Sequence, residues 1–221
     1  MPKPKCARKR SSRTVRAAKI ATAREAIGTI EKESDVFILT YGQFSLIDAL
    51  VAILDQTGPA DVAISTWTAA DAHLERSAAL LESASMRSFR MIVDRSFETR
   101  QPEYCHHMRQ LFGAESVRAI RTHAKFMLIR SDTHNISVRT SMNLNENPRL
   151  ENIEISEGLE FAEFFQAVID DIFAEVQERE NRSPLPGLES IQESFQFQEV
   201  EAAVIKREGL NEPRTSHTIS R

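Results

Sequence analysis

From residue 35 to residue 177, short apolar runs alternate with helical patterns, and this alternation constrains the fold more than any other feature. "DVFILTYG" (35–42) is an apolar run ending in glycine and predicts a buried strand. "SLIDALVAILDQTG" (45–58) has helical spacing and stops at Gly58-Pro59. Strands are predicted over 61–67, 88–97, 116–122, 124–131 and 135–143, and helices over 69–84 and 98–113. Residues 158–177 give the clearest helix, with Phe161, Phe164, Phe165, Val168, Ile169, Ile172, Phe173 and Val176 on one stripe. That stripe predicts packing against a sheet or a partner subunit. Strands alternating with helices imply βαβ units, so the expected fold is α/β, a mixed, mostly parallel sheet flanked by helices on both faces.

Charge divides the chain. Residues 1–24 carry nine Lys or Arg and no acid, leaving 19 basic and 32 acidic residues in the rest. A basic arm on an acidic body suits contact with phosphate, in nucleic acid or at a membrane surface. The expected organisation is a disordered basic arm (1–24), with a polar helix predicted over 17–33. One domain (25–180) and a polar C-terminal tail (181–221) follow. No apolar stretch approaches the roughly 20 residues that span a bilayer, and the N-terminus lacks the apolar core of a secretory signal. A cytoplasmic protein with no membrane partner is expected. Its two cysteines, Cys6 and Cys105, fit a reducing compartment.

One segment stands out chemically. In "RTHAKFMLI" (121–129), His123 and Lys125 lie two residues apart and share a face if the backbone is extended. The following predicted strand ends in "SMN", where Ser141 and Asn143 obey the same period. Side by side, the two segments offer an imidazole, an ammonium, a hydroxyl and an amide. That set suits a phosphoryl group: the lysine supplies charge, Ser and Asn supply donors, and His acts as nucleophile or as acid and base.

"HAK", "TSMN" and "ENIE" together resemble the phospholipase D superfamily, whose motif reads H-x-K, four residues, D, then G-S-x-N and a downstream N-x-E. His123 and Lys125 match the first pair, Ser141 and Asn143 match S-x-N, and Asn152 and Glu154 match N-x-E. "RTSMNLNENPRLENIEI" further resembles phage-associated proteins with a phospholipase D-like domain. The resemblance implies a metal-independent phosphodiesterase without cofactor, working through a phosphohistidine at His123. Lys125, Asn143 and Ser141 would hold the phosphoryl oxygens, and Glu154 would orient the imidazole. A single H-x-K resembles small endonucleases that dimerise across the active site, so a homodimer acting on nucleic acid, DNA first, is expected. Where the family has its aspartate this chain has Arg130, with Asp132 two residues on. That departure and the single motif copy support a second reading, a degenerate DNA-binding or packaging accessory protein of a phage.

Other candidates are peripheral. Trp67 could stack on a base, and Arg121, Arg149 and Asn152 are candidate substrate contacts. Tyr41, Asp94 and Arg95 fall near predicted strand ends, where parallel sheets place ligands. Adjacent His106 and His107 point about 100° apart on a helix, so with Cys105 they make a poor metal site and none is expected.

Overall fold

A computed structural model describes residues 12–17, 22–145 and 148–175. Eight strands form one sheet: β1 (Ser12–Ala17), β2 (Ser34–Thr40), β3 (Ala60–Thr66), β4 (Met86–Asp94), β5 (Val117–Ile120), β6 (Phe126–Ser131), β7 (Asn135–Thr140) and β8 (Glu151–Glu157). The helices are α1 (Ala23–Ile27), α2 (Leu46–Thr57), α3 (Asp71–Glu82), α4 (Arg95–Arg100), α5 (Pro102–Phe112) and α6 (Leu159–Glu175).

The spatial order is β1-β2-β8-β7-β6-β3-β4-β5. The α/β class and the helices on both faces are as expected, but the sheet is not mostly parallel. β1 pairs β2, β3 pairs β4 and β4 pairs β5 in parallel, while the other four pairings are antiparallel. The reason is loop length. Only residues 132–134 join β6 to β7, too few for the crossover that parallel neighbours need. Consequently β6 and β8 run against the other six strands. Their starting ends lie at the sheet edge where β2, β3 and β7 finish.

Two more expectations change. Ser12–Ala17 of the basic arm forms β1, paired in register with Ser34–Leu39, so the arm is not disordered throughout. Residues 1–11, 18–21 and the tail 181–221 lie outside the described residues, and the helix expected over 17–33 reduces to α1. The single helix expected over 98–113 is broken into α4 and α5, because Pro102 lacks an N–H and drives Gln101 out of helical geometry (φ −142°, ψ 63°).

The main core lies between one sheet face and α1, α2, α3 and α5, with Ile38, Leu50, Ile64, Leu74, Met91 and Phe97 fully buried. α2 is closed by a capping box between Ser45 and Asp48 and ends at Gly58, whose φ of 71° favours glycine. The other face carries α6. Ile169 and Ala162 are buried there with Ala63, Ile92, Phe126 and Leu128, and Phe165 meets Phe126 at 4.8 Å. The apolar stripe is only partly used in this packing: Phe161 and Phe164 remain 46% and 61% exposed.

Buried carboxylates tie loops to this frame. Glu157 accepts from the Glu33 N–H at 2.8 Å and from the Lys32 ammonium at 2.9 Å. Burial opposes its charged form, yet these donors hold its carboxyl below the usual range. Such a group stabilises the fold above its unfolded pKa, and the contribution fades as pH falls from about 4 through the lower folded value. Urea midpoints are therefore expected to stay level from pH 7 to 5 and drop below pH 4, with a shallower drop in Glu157→Gln. Parallel acid profiles for the two proteins would contradict this.

Candidate active site

The chemistry-bearing residues gather at the edge where β2, β3, β4 and β7 end and β6 and β8 begin. The strand expected from residue 124 begins at Phe126, so His123 and Lys125 sit in the segment leading into β6. That segment is fixed at several points. The Thr140 N–H donates to the Lys125 carbonyl at 3.1 Å, one rung beyond the β6–β7 ladder. The Ser65 hydroxyl donates to the Ala124 carbonyl at 2.9 Å, and the Thr122 N–H donates to Asp94 Oδ2 at 3.0 Å. Asp94 also accepts from the Ser96 N–H and hydroxyl, and so caps α4. Burial works against its charge, but the Ser96 and Thr122 donors prevail and lower its pKa.

His123 is exposed and Lys125 is half-buried. Lys125 Nζ lies 3.4 Å from His123 Nδ1 and donates to the His123 carbonyl at 3.0 Å. Burial lowers the pKa of this ammonium, against the opposing pull of Glu151. The Trp67 ring is 5.8 Å from the imidazole, tilted by 54°, and the Arg100 guanidinium stands 4.1 Å over the same indole.

Ser141 and Asn143 follow β7. The Ser141 hydroxyl donates to Glu151 Oε2 and accepts from the Asn152 N–H at 2.9 Å. Asn143 Oδ1 lies 3.5 Å from the Thr66 hydroxyl. Glu151, 8% exposed, is therefore a buried carboxylate at this site, and the motif reading passes over it. Strand alternation carried the signal: in "ENIEI", Ile153 and Ile155 define the core face, and Glu151 shares their parity. Glu154 does not. It lies on the α6 side of β8, paired with Arg139 at 3.3 Å, which in turn stacks on Phe161. Asn152 reaches Ser141 through its backbone, donating to Ser141 Oγ and accepting from Ser141 N–H at 3.2 Å. Arg121 and Arg149 are exposed on the loops leading into β6 and β8. Arg100 had no signal in the sequence, being one of several bases on a predicted covering helix.

Arg130 is remote from this cluster. It lies five residues beyond Lys125 along extended chain, about 16 Å away. There its Nε donates to Asn135 Oδ1 at 3.2 Å and its carbonyl accepts from Arg87 at 3.0 Å. Asp132 pairs with Arg87 at the same end.

A cleft of about 300 Å³ adjoins the cluster through Asn143 and Glu151, with Gln43, Ser45 and Asp48 on its other wall. His123 and Lys125 do not line it. No group of three or more His, Cys, Asp or Glu among the described residues is placed to hold a metal. No described helix is long and apolar enough to cross a membrane.

Cys105 is buried on α5, His106 is exposed, and His107 Nδ1 approaches Asp71 at 3.4 Å. Burial, with the nearby Glu98, pushes the Cys105 thiol up to about 12. At pH 8 its thiolate fraction is then about 10⁻⁴, and alkylation in the folded state should be far slower than in urea. Mass spectrometry after iodoacetamide treatment checks this, and fast native labelling of Cys105 would refute it.

No protein-family model and no curated protein matches this sequence. Solved structures do resemble the chain. It is similar to Nuc, a phospholipase D family member from Salmonella typhimurium, with 15% identity and a TM-score of 0.46, covering 67% of this chain and 99% of that one. It is similar to NucT from Helicobacter pylori, with 12% identity and a TM-score of 0.48, covering 66% of this chain and all of that one. It is also similar to a polyphosphate kinase from Porphyromonas gingivalis, with 15% identity and a TM-score of 0.46, over 68% of this chain but 27% of that one.

Proposed function

We propose that the chain is a metal-independent phosphodiesterase of the phospholipase D superfamily. It cleaves nucleic acid, DNA first, through a phosphohistidine at His123. The observation that carries this reading is the convergence of the exposed His123 imidazole and the Lys125 ammonium, held 3.4 Å apart on a clamped segment. The neighbouring Ser141, Asn143 and Glu151 complete a set suited to a phosphate diester.

In this scheme the His123 nitrogen attacks phosphorus as the P–O bond to the leaving oxygen breaks. Water then cleaves the P–N bond to free the imidazole, and Lys125 and Asn143 balance charge on the non-bridging oxygens throughout. The Lys125 ammonium stands 3.4 Å from Nδ1, which leaves Nε2 as the nitrogen that meets phosphorus. The nucleophilic form needs the proton on Nδ1, so Lys125 turns from the ring to the phosphate when substrate binds. The sequence contains one H-x-K, so a second histidine for leaving-group protonation comes from a second copy of the chain. Glu151 replaces Glu154 in the supporting role, because it faces this set and Glu154 does not. Arg121, Arg149, Asn152 and Trp67 remain proposed substrate contacts, and the basic N-terminal segment supplies sequence-independent attraction to the phosphate backbone.

The accessory-protein reading rests on Arg130 and on the single H-x-K copy. The Arg130 side chain bonds Asn135 at the far end of β6, away from His123 and Lys125, and a second chain would supply the second copy.

The test is cleavage of single- and double-stranded DNA and of RNA in excess EDTA, with acid-labile, base-stable labelling of His123 by a substrate phosphorus label. Cleavage with His123 labelled is the expected result. Cleavage abolished by EDTA and restored by a divalent ion would overturn metal independence, and turnover without labelling would overturn the covalent route.

A further inference from the structure

Arg100 has no part in the scheme above, yet it occupies a defined place beside it. Its guanidinium lies 4.1 Å over the Trp67 ring, and that ring lies 5.8 Å from the His123 imidazole. Guanidinium and imidazole therefore stand no farther apart than those two separations added together. Arg100 Nε donates to Ser96 Oγ at 3.2 Å, and Nη2 approaches the Trp67 carbonyl at 3.5 Å. The side chain is exposed at the end of α4 and forms no ion pair within 4 Å among the described residues.

The acid that feels this charge is occupied. Asp94, which feels the charge of Arg100, spends its oxygens on Ser96 and Thr122. What remains is a guanidinium fixed by stacking and by two hydrogen bonds, the second of them long, with donors left over. A preorganised arginine of this kind loses little entropy when it binds a phosphate in a two-pronged way. Stacking on Trp67 also sets its distance from His123.

The geometry points to Arg100 as the binding residue for a second phosphate, the one next to the scissile phosphate at His123, so that the site selects a substrate with at least two consecutive phosphates. This deepens the nucleic-acid reading and rests on it. A phospholipid with a single diester offers nothing to Arg100, and a nucleic-acid chain always does. Trp67 then serves as the shelf on which Arg100 rests. Ribose and deoxyribose chains present these two phosphates alike.

The test uses the full chain and four probes: thymidylyl-thymidine, the same dinucleotide with a 5′-phosphate, the same with a 3′-phosphate, and uridylyl-uridine with the better-placed terminal phosphate. Binding is measured by calorimetry, with His123→Ala, which the scheme leaves unable to cleave the probes, run beside the native protein so that heat from turnover is recognised. One terminal phosphate is expected to tighten binding about 10-fold in the native protein, the order of one charge-assisted pair at an exposed site. In Arg100→Met that ratio falls to near one, and Arg100→Lys keeps part of it. Deoxy- and ribo-dinucleotides should behave alike. Equal affinities with and without the terminal phosphate in the native protein would overturn the proposal, and so would an undiminished ratio in Arg100→Met. Hydrolysis of bis(p-nitrophenyl) phosphate, which has one phosphate, is followed in parallel. Its absence would tell against the phosphodiesterase reading separately.

Discussion

Replacing His123 with alanine is expected to lower phosphodiester hydrolysis by about 10⁴-fold or more while nucleic-acid affinity changes little. The size follows from the role: neither the Lys125 ammonium nor the Ser141 hydroxyl, which donates to Glu151, can replace an imidazole as both nucleophile and proton carrier. Affinity should persist because phosphate contacts from lysine and arginine dominate binding. Single-turnover cleavage and fluorescence anisotropy separate the two quantities. Lys125→Met is expected to lose less, about 10²–10³-fold, as the loss of one charge at the phosphoryl oxygens. Retention of one-tenth of the rate in His123→Ala would remove His123 from the chemistry.

The largest effect on stability is expected from Phe97→Ala, about 3–5 kcal/mol. Phe97 is fully buried in the main core and belongs to α4. Truncation removes its transfer energy and leaves a cavity that surrounding strands cannot close. In a domain of this size the melting temperature should fall by about 10 °C. There is a second consequence. α4 is capped by Asp94, the residue that clamps Thr122 just before His123, so loosening α4 should also reduce activity below the melting range. Urea unfolding and cleavage rates measured at one temperature test both parts. A stability loss under 1 kcal/mol would mean that the site repacks.

The sequence exposed most of the architecture because period and punctuation are local properties. Strands β2 to β7 and helices α2, α3 and α6 lie within a few residues of where their patterns put them. Strand order is not a local property. The helical crossovers between β2, β3 and β4 suggest neighbours, but β8, β7 and β6 lie between β2 and β3. Only the three-residue turn after β6 announced an antiparallel pair. β8 was overlooked because "ENIEISE" mixes acids with apolar residues. Its acids fall into two groups, Glu151 and Glu157 buried on the main-core side and Glu154 turned to Arg139. At the site, His123, Lys125, Ser141 and Asn143 were visible from residue type and spacing. Arg100 was not, since its proximity to His123 depends on where Trp67 lies in space.

The β6–β7 hairpin joins the H-A-K segment to the S-M-N segment, with Arg130 opposite Asn135 at its turn and Phe126 opposite Arg139 near the site. A one-residue insertion would therefore have opposite results according to its place. Between residues 132 and 134 it lengthens a solvent-facing turn and leaves both segments in phase. Inside β6 it slips the ladder by one position, buries the wrong side chains, and swings His123 and Lys125 to the α6 face. Within this hairpin, the turn is thus the place where the chain can change length without moving His123 and Lys125.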